Sequence, residues 1–128
     1  MATVTLLIVD DEEKMVNTLK GYFEAVGGFE VLTALTGEDA LALIEAQQPS
    51  IVLLDKRFEH SPMQGLELLE KAKARFPKTQ IIIISGYTTE ADKQEALSLG
   101  ADQFLEKPLM LPEIKKAVQE AVAKLPST

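Results

Sequence analysis

The sequence predicts a doubly wound α/β fold, a three-layer sandwich in which a parallel sheet lies between two layers of helices. Two observations carry this expectation. Five short apolar runs recur along the chain, each followed by a segment with helical spacing. Runs such as Leu6-Leu7-Ile8-Val9 and Ile81-Ile82-Ile83-Ile84 lack the in-and-out alternation of a half-exposed sheet, which marks strands buried on both faces. Short crossovers between parallel strands are right-handed and put helices on both faces.

The first strand is expected over Val4 to Val9. The helix after it carries Met15, Leu19, Tyr22, Phe23 and Val26 on one face, and Gly27-Gly28 ends it. The second strand runs from Phe29 to Ala34. Thr36-Gly37-Glu38-Asp39 then resembles a capping box, Asp39 standing in for the usual Glu, ahead of Ala40, Leu41, Leu43 and Ile44 of the second helix. Ile51 to Leu54 form the third strand, and Gly65, Leu68, Leu69, Ala72 and Phe76 make one helical stripe before Pro77. Ile81 to Ser85 opens with four β-branched isoleucines, too few for a helix, so it is read as the fourth strand. The segment from Thr89 to Leu99 offers only Ala91, Ala96, Leu97 and Leu99 as apolar contacts, so the fourth helix is expected to be the least firmly anchored. Gln103 to Glu106 gives the fifth strand, and Leu111, Ile114, Val118, Val122 and Leu125 mark the face of the fifth helix. The one long loop lies between Asp55 and Gln64, and long loops in compact domains are usually functional.

A chain of 128 residues that is 46% hydrophobic holds enough apolar material for one core and too little length for two, so residues 1–128 are expected to form a single domain. Without cysteine there is no thiol catalysis, thiolate zinc site or redox switch, and a reducing compartment, the cytoplasm, is expected. Thirteen Lys and Arg against twenty Asp and Glu give a net charge of -7, which argues against direct binding to nucleic acid or to anionic membrane. The N-terminal stretch MATVTLLIVDDEE has no basic flank and its apolar run stops at acids, so no signal peptide is expected. No apolar run approaches the roughly 18 residues of a membrane span.

In an open parallel sheet, ligands bind beyond the carboxyl ends of the strands, where strand order reverses. The residues at those ends are Asp10-Asp11-Glu12, Asp55, Ser85-Gly86 and Glu106-Lys107-Pro108. Each alone has a plain structural explanation: an aspartate between strand and helix is most often an N-cap, and a serine beside glycine suits a turn. Together they imply more. Carboxylates gathered at one edge repel, so Asp10, Asp11 and Asp55 imply a bound cation, and an all-oxygen set without His or Cys selects Mg²⁺ or a similar ion. Mg²⁺ commonly shares its coordination sphere with a phosphate, for which Lys107 supplies a second positive charge and Ser85 a hydroxyl. A carboxylate can itself attack phosphorus, and Asp55, alone at the end of its strand, is the candidate nucleophile.

Leu7-Ile-Val-Asp-Asp11, Ile51-Val-Leu-Leu-Asp55, Ile81-Ile-Ile-Ile-Ser-Gly86, Leu99-Gly-Ala-Asp102 and Phe104-Leu-Glu-Lys-Pro108 together resemble the receiver domain of two-component response regulators, over almost the whole chain and in order. The resemblance implies a flavodoxin-like sheet with strand order 2-1-3-4-5. It implies a signalling switch rather than a conventional enzyme, one that promotes only the phosphorylation and slow dephosphorylation of its own aspartate. Asp55 would take a phosphoryl group from a histidine kinase or phosphotransfer protein, and Asp10, Asp11, Asp55 and the backbone carbonyl of Arg57 would hold Mg²⁺. Ser85 and Lys107 would contact the phosphoryl group, Phe104 would couple to Ser85 as a switch, and Arg57 and Tyr87 would flank the site and modulate hydrolysis. The surface of the fourth helix, fifth strand and fifth helix would then control an output domain, a downstream protein or a second copy of the chain. Receiver domains usually carry Pro four and Gly eight residues after the phosphoacceptor. Here Pro62 and Gly65 stand seven and ten residues after Asp55, which makes the loop two residues longer, with Arg57 ahead of the insertion. His60, in the same loop, is read as an exposed loop histidine.

Two other functions compete. A haloacid dehalogenase-type phosphohydrolase also uses an aspartate on a doubly wound sheet, but it needs Asp-x-Asp after the first strand and a cap domain, and here the pair is Asp10-Asp11. A receiver fold serving as an unphosphorylated binding module has no use for Asp10, Asp11, Asp55, Ser85 and Lys107 together. Acids after the first strand would repel the phosphate of a flavin mononucleotide, and the glycine-rich dinucleotide and P-loop motifs are absent.

Overall fold

The apolar runs form five strands, β1 (Val4–Val9), β2 (Phe29–Ala34), β3 (Ile51–Asp55), β4 (Gln80–Ser85) and β5 (Gln103–Glu106). Between and after them lie α1 (Glu13–Val26), α2 (Gly37–Gln47), α3 (Gly65–Arg75), α4 (Glu90–Ser98) and α5 (Leu111–Ala123). The structure is a computed structural model, and it describes residues 3–56, 63–86 and 89–126. All neighbouring strands are parallel and the sheet order is β2-β1-β3-β4-β5, the order implied by the resemblance. The chain steps outward from β1 to β2 and then back across β1 to β3, so strand order reverses between β1 and β3.

The runs without alternation are buried on both faces, because successive strand residues point to opposite sides. Leu6, Ile8, Ile51, Leu53, Ile82 and Ile84 pack with Val16, Leu19 and Phe23 of α1 and with Ile114 and Val118 of α5. Their neighbours Leu7, Val9, Val52, Leu54, Ile81 and Ile83 pack with Ile44 of α2, Leu68 and Leu69 of α3, and Ala96 of α4. Thus α1 and α5 cover one face, and α2, α3 and α4 cover the other.

Two strands run one residue past the apolar signal. Asp55 stays in the ladder opposite Ile84, and the Lys56 amide still donates to the Ile84 carbonyl at 3.0 Å. Gln80 pairs with Ile51, its amide donating to the Ser50 carbonyl at 2.9 Å. Backbone pairing is indifferent to side-chain polarity, so polar end residues leave no mark in the hydropathy pattern.

Helix termini follow the local chemistry. Gly27 and Gly28, both at φ 85, end α1, and the Gly28 carbonyl accepts from Val4 at the start of β1. At α2 the Thr36 hydroxyl accepts from the Asp39 amide at 3.1 Å, which is the N-cap half of the expected capping box. A reciprocal box is found at α4, where the Asp92 amide donates to Thr89 Oγ1 and the Thr89 amide to Asp92 Oδ2, each at 3.1 Å. Of the nine residues of α4 only Ala96 is fully buried, while Leu97 stands 38% exposed, which bears out the weak anchoring expected of this helix. At the amino-terminal edge of the sheet, Lys73 Nζ binds Asp102 Oδ2 at 2.8 Å and the Thr79 carbonyl at 2.6 Å. Asp102 also accepts from the Ile81 amide, so α3 is tied there to the starts of β4 and β5.

Candidate functional site

Parallel strands deliver their last residues to one edge of the sheet, and the reversal of order between β1 and β3 leaves a crevice at that edge. Asp10 follows β1 directly, Asp55 ends β3, Ser85 ends β4, and Lys107 follows β5. One carboxylate oxygen from each of Asp10, Asp11 and Asp55 lies within 4.8 Å of the other two. Lys107 Nζ stands 3.4 Å from Asp55 Oδ1. Its backbone is fixed by the Lys107 amide donating to the Ser85 carbonyl at 2.8 Å, and the Lys107–Pro108 bond is cis. Asp10 and Ser85 are both buried, and the Asp55 side chain is only 12% exposed.

Burial and, to a smaller extent, neighbouring charge raise the Asp10 carboxyl. Burial pushes its carboxyl from the ordinary 3.8 up to about 6. The Glu12 amide, donating to Asp10 Oδ1 at 2.9 Å, pulls the other way; Asp55 adds to the rise, Lys107 offsets part of it, and Asp11 adds a little more. The N-cap explanation of Asp10 is therefore half right: it does accept a backbone amide leading into α1, although the N-cap position itself is Glu12. Among the described residues, one ammonium against three carboxylates leaves the cluster net negative. At an effective dielectric of 20, two unit charges about 5 Å apart interact by about 3 kcal/mol, which sets the scale of the repulsion a cation would relieve. All donors are carboxylate oxygens, which suits a hard divalent ion such as Mg²⁺.

The connection after β3 is pressed against the cluster. A Cβ on Gly65 would sit 2.7 Å from the Asp55 carbonyl oxygen and 2.8 Å from that of Lys56, closer than real Cβ atoms come, so only glycine fits. The Gly65 amide donates to the Lys56 carbonyl at 3.1 Å. Gly37, opening α2, meets Met63 from the same connection in the same way, its Cβ position 2.6 Å from the Met63 carbonyl oxygen. Lys56 turns away from the acidic cluster, and its Nζ pairs with Asp92 Oδ1 of α4 at 3.2 Å. Phe104, on β5, is half-buried against the cluster that contains Ala96 of α4.

Asp10, Asp11, Asp55, Ser85 and Lys107 are thus brought to one edge, as read from the sequence. Arg57, with its backbone carbonyl, Tyr87, His60 and Pro62 lie outside the described residues. Two features were missed in the sequence. The close approach that demands Gly65 is a three-dimensional fact, but the Thr89-x-x-Asp92 box has the same spacing as Thr36-x-x-Asp39 and was legible.

Comparison with known proteins identifies the family. Residues 6–119 match the family model described as response regulator receiver domain. The chain is 32% identical over 120 residues to the nitrogen assimilation regulatory protein NtrX of Azorhizobium caulinodans, covering 94% of this chain and 26% of that protein. It is 34% identical over 117 residues to the alkaline phosphatase synthesis transcriptional regulatory protein PhoP of Bacillus subtilis, covering 89% of this chain and 46% of that one. The chain therefore spans between a quarter and a half of these curated relatives. Among solved structures, a CheY-like response regulator receiver domain protein from Methanospirillum hungatei superposes with a TM-score of 0.89 at 30% identity, covering 96% of this chain and 97% of that one. The receiver domain of NtrX from Brucella abortus gives 0.85 at 30% identity, covering 92% and 98%.

Proposed function

The chain belongs to the response regulator receiver domains, homologous to those of NtrX and PhoP, and on that footing we propose that residues 1–128 form one receiver domain whose phosphoacceptor is Asp55. The observation that carries this reading is the edge itself, with Asp10, Asp11 and Asp55 within 4.8 Å and Lys107 Nζ at 3.4 Å from Asp55. An Asp55 carboxylate oxygen attacks the phosphorus of a phosphohistidine. The new O–P bond forms as the N–P bond breaks, and the electron pair leaves on the imidazole nitrogen. Asp10, Asp11, Asp55 and the Arg57 carbonyl would hold Mg²⁺, which when bound screens the carboxylate nucleophile from the phosphoryl oxygens.

Lys107, which faces an Asp55 carboxylate oxygen at 3.4 Å, pairs with the phosphoryl oxygens once they take that oxygen's place, and the Ser85 hydroxyl donates to another. Drawing Ser85 inward frees space for the Phe104 ring, and this repacks the surface of α4, β5 and α5. Arg57 and Tyr87, by the family resemblance, would set how fast water removes the phosphoryl group. The partners are a sensor histidine kinase or phosphotransfer protein upstream and an output domain or downstream protein that reads the α4-β5-α5 surface, with a second copy of the chain as a further candidate. No helix among the described residues is long and apolar enough to cross a membrane, and the site of action proposed is the cytoplasm. Uptake of phosphate from acetyl phosphate tests the reading. It is expected to require Mg²⁺ and to vanish on chelation, whereas equal uptake in excess chelator would overturn it.

A further inference from the structure

The residue after the phosphoacceptor is a lysine held at three points. Its amide donates to the Ile84 carbonyl at 3.0 Å, its carbonyl accepts from the Gly65 amide at 3.1 Å, and its Nζ meets Asp92 Oδ1 at 3.2 Å. The Lys56 side chain is 17% exposed and that of Asp92 38%, so the pair is partly shielded from solvent on the lysine side. Asp92 is at the same time the residue whose other oxygen closes the cap on α4 by accepting from the Thr89 amide. The Thr89 cap amide pulls the Asp92 carboxyl below its ordinary value, and Lys56 acts in the same direction. The helix it starts has little else to hold it, since Ala96 is its one fully buried residue.

We infer that the Lys56–Asp92 ion pair is a latch joining the phosphoacceptor end of β3 to the first turn of α4, which holds that helix in the arrangement of the unphosphorylated chain. The inference rests on the proposed role of Asp55 and adds a residue-level brake to it. A contact made in only one of two arrangements biases the equilibrium toward that arrangement, and linkage makes the effect reciprocal. Whatever the latch contributes to the resting position of α4 is therefore charged against phosphorylation of Asp55.

Lys56→Met and Asp92→Asn both break the pair, and Asn keeps an oxygen for the Thr89 amide. They change the local charge in opposite directions, so a simple field effect on an anionic phosphodonor moves the two variants apart, whereas loss of a latch moves them together. Amide hydrogen exchange over residues 90–98, measured without phosphodonor, is expected to speed up about two- to five-fold in both variants, the range for a partly exposed ion pair, with β1 and β3 unchanged. Lys56→Arg is expected to restore the wild-type rate. At a half-saturating level of acetyl phosphate with Mg²⁺, both variants are expected to carry more phosphate than wild type. Exchange in α4 equal to wild type in either variant, or phosphate occupancies that shift in opposite directions, would overturn the latch. The exchange arm needs no phosphorylation, and a wild-type chain that takes up no phosphate would count against the proposed function rather than against the tether.

Discussion

Replacing Asp10 by Asn should make the metal-free protein more stable, although it removes a residue of the site. The reason lies in the cost of keeping that carboxylate ionised. Its carboxyl titrates near 6 instead of 3.8, chiefly because it is buried. That difference corresponds to roughly 3 kcal/mol of destabilisation at pH 7, where the folded chain must hold the group as an anion. The sign follows from proton binding. Between about 4 and 6 the folded state holds a proton that the unfolded state has lost, so the stability associated with this group is full below 3.8 and is lost as pH rises through 6. Asn keeps an oxygen for the Glu12 amide, which now donates at 2.9 Å, but its amide hydrogens must still be buried. The net gain expected at pH 7 is therefore about 2 kcal/mol, or roughly 6–10 °C in Tm for a domain of this size. Thermal melts in chelator at pH 7 and at pH 4 measure it, and the advantage of the variant should shrink toward zero at the lower pH. Millimolar Mg²⁺ should raise Tm in wild type by preferential binding to the folded state and do little for the variant. A variant less stable than wild type at pH 7 in chelator, or an advantage that does not change between pH 7 and pH 4, would refute the reasoning.

Gly65→Ala should cost about 1–3 kcal/mol in urea denaturation, because its Cβ would press on the Asp55 and Lys56 carbonyls, and those backbone atoms cannot move without shifting Asp55. A variant as stable as wild type would show that the β3–α3 connection yields freely. Lys107→Ala should leave the Mg²⁺-induced rise in Tm intact or increase it, since removing the ammonium leaves the carboxylates less compensated, while amide shifts in α4 and β5 on adding a phosphoryl mimic such as beryllofluoride should largely disappear. Loss of the Mg²⁺ response with the amide shifts preserved would reverse the role assigned to this lysine.

The fold was legible because its strands carry their burial on their face. Leu6 to Val9 and Ile81 to Ile84 fill both clusters with alternate residues, so a run without period two that is too short for a helix reads as a strand covered on both sides. Asp10, Asp55, Ser85 and Lys107 were legible for a related reason: in a parallel sheet the position just after each apolar run is a position at one edge. Contacts between distant segments were not. Lys56 and Asp92 each look like a solvated surface charge, and only the packing of α4 beside the end of β3 makes them partners. Lys73 with Asp102 is the same case at the other edge of the sheet. Polar strand ends such as Gln80 escaped because the ladder is made by the backbone, and the crowding around Gly65 depends on where the chain returns after a loop.

The central claim is that one particular carboxylate, Asp55, becomes the acyl phosphate. Reduction with borohydride converts an aspartyl phosphate to homoserine and so marks the residue that carried it. After treatment with acetyl phosphate and Mg²⁺ followed by reduction, peptide sequencing by mass spectrometry should find homoserine at position 55 and at neither Asp10 nor Asp11, and should find none in Asp55→Asn. Homoserine at Asp10 or Asp11 in the wild-type chain, or an acyl phosphate that persists in Asp55→Asn, would contradict it.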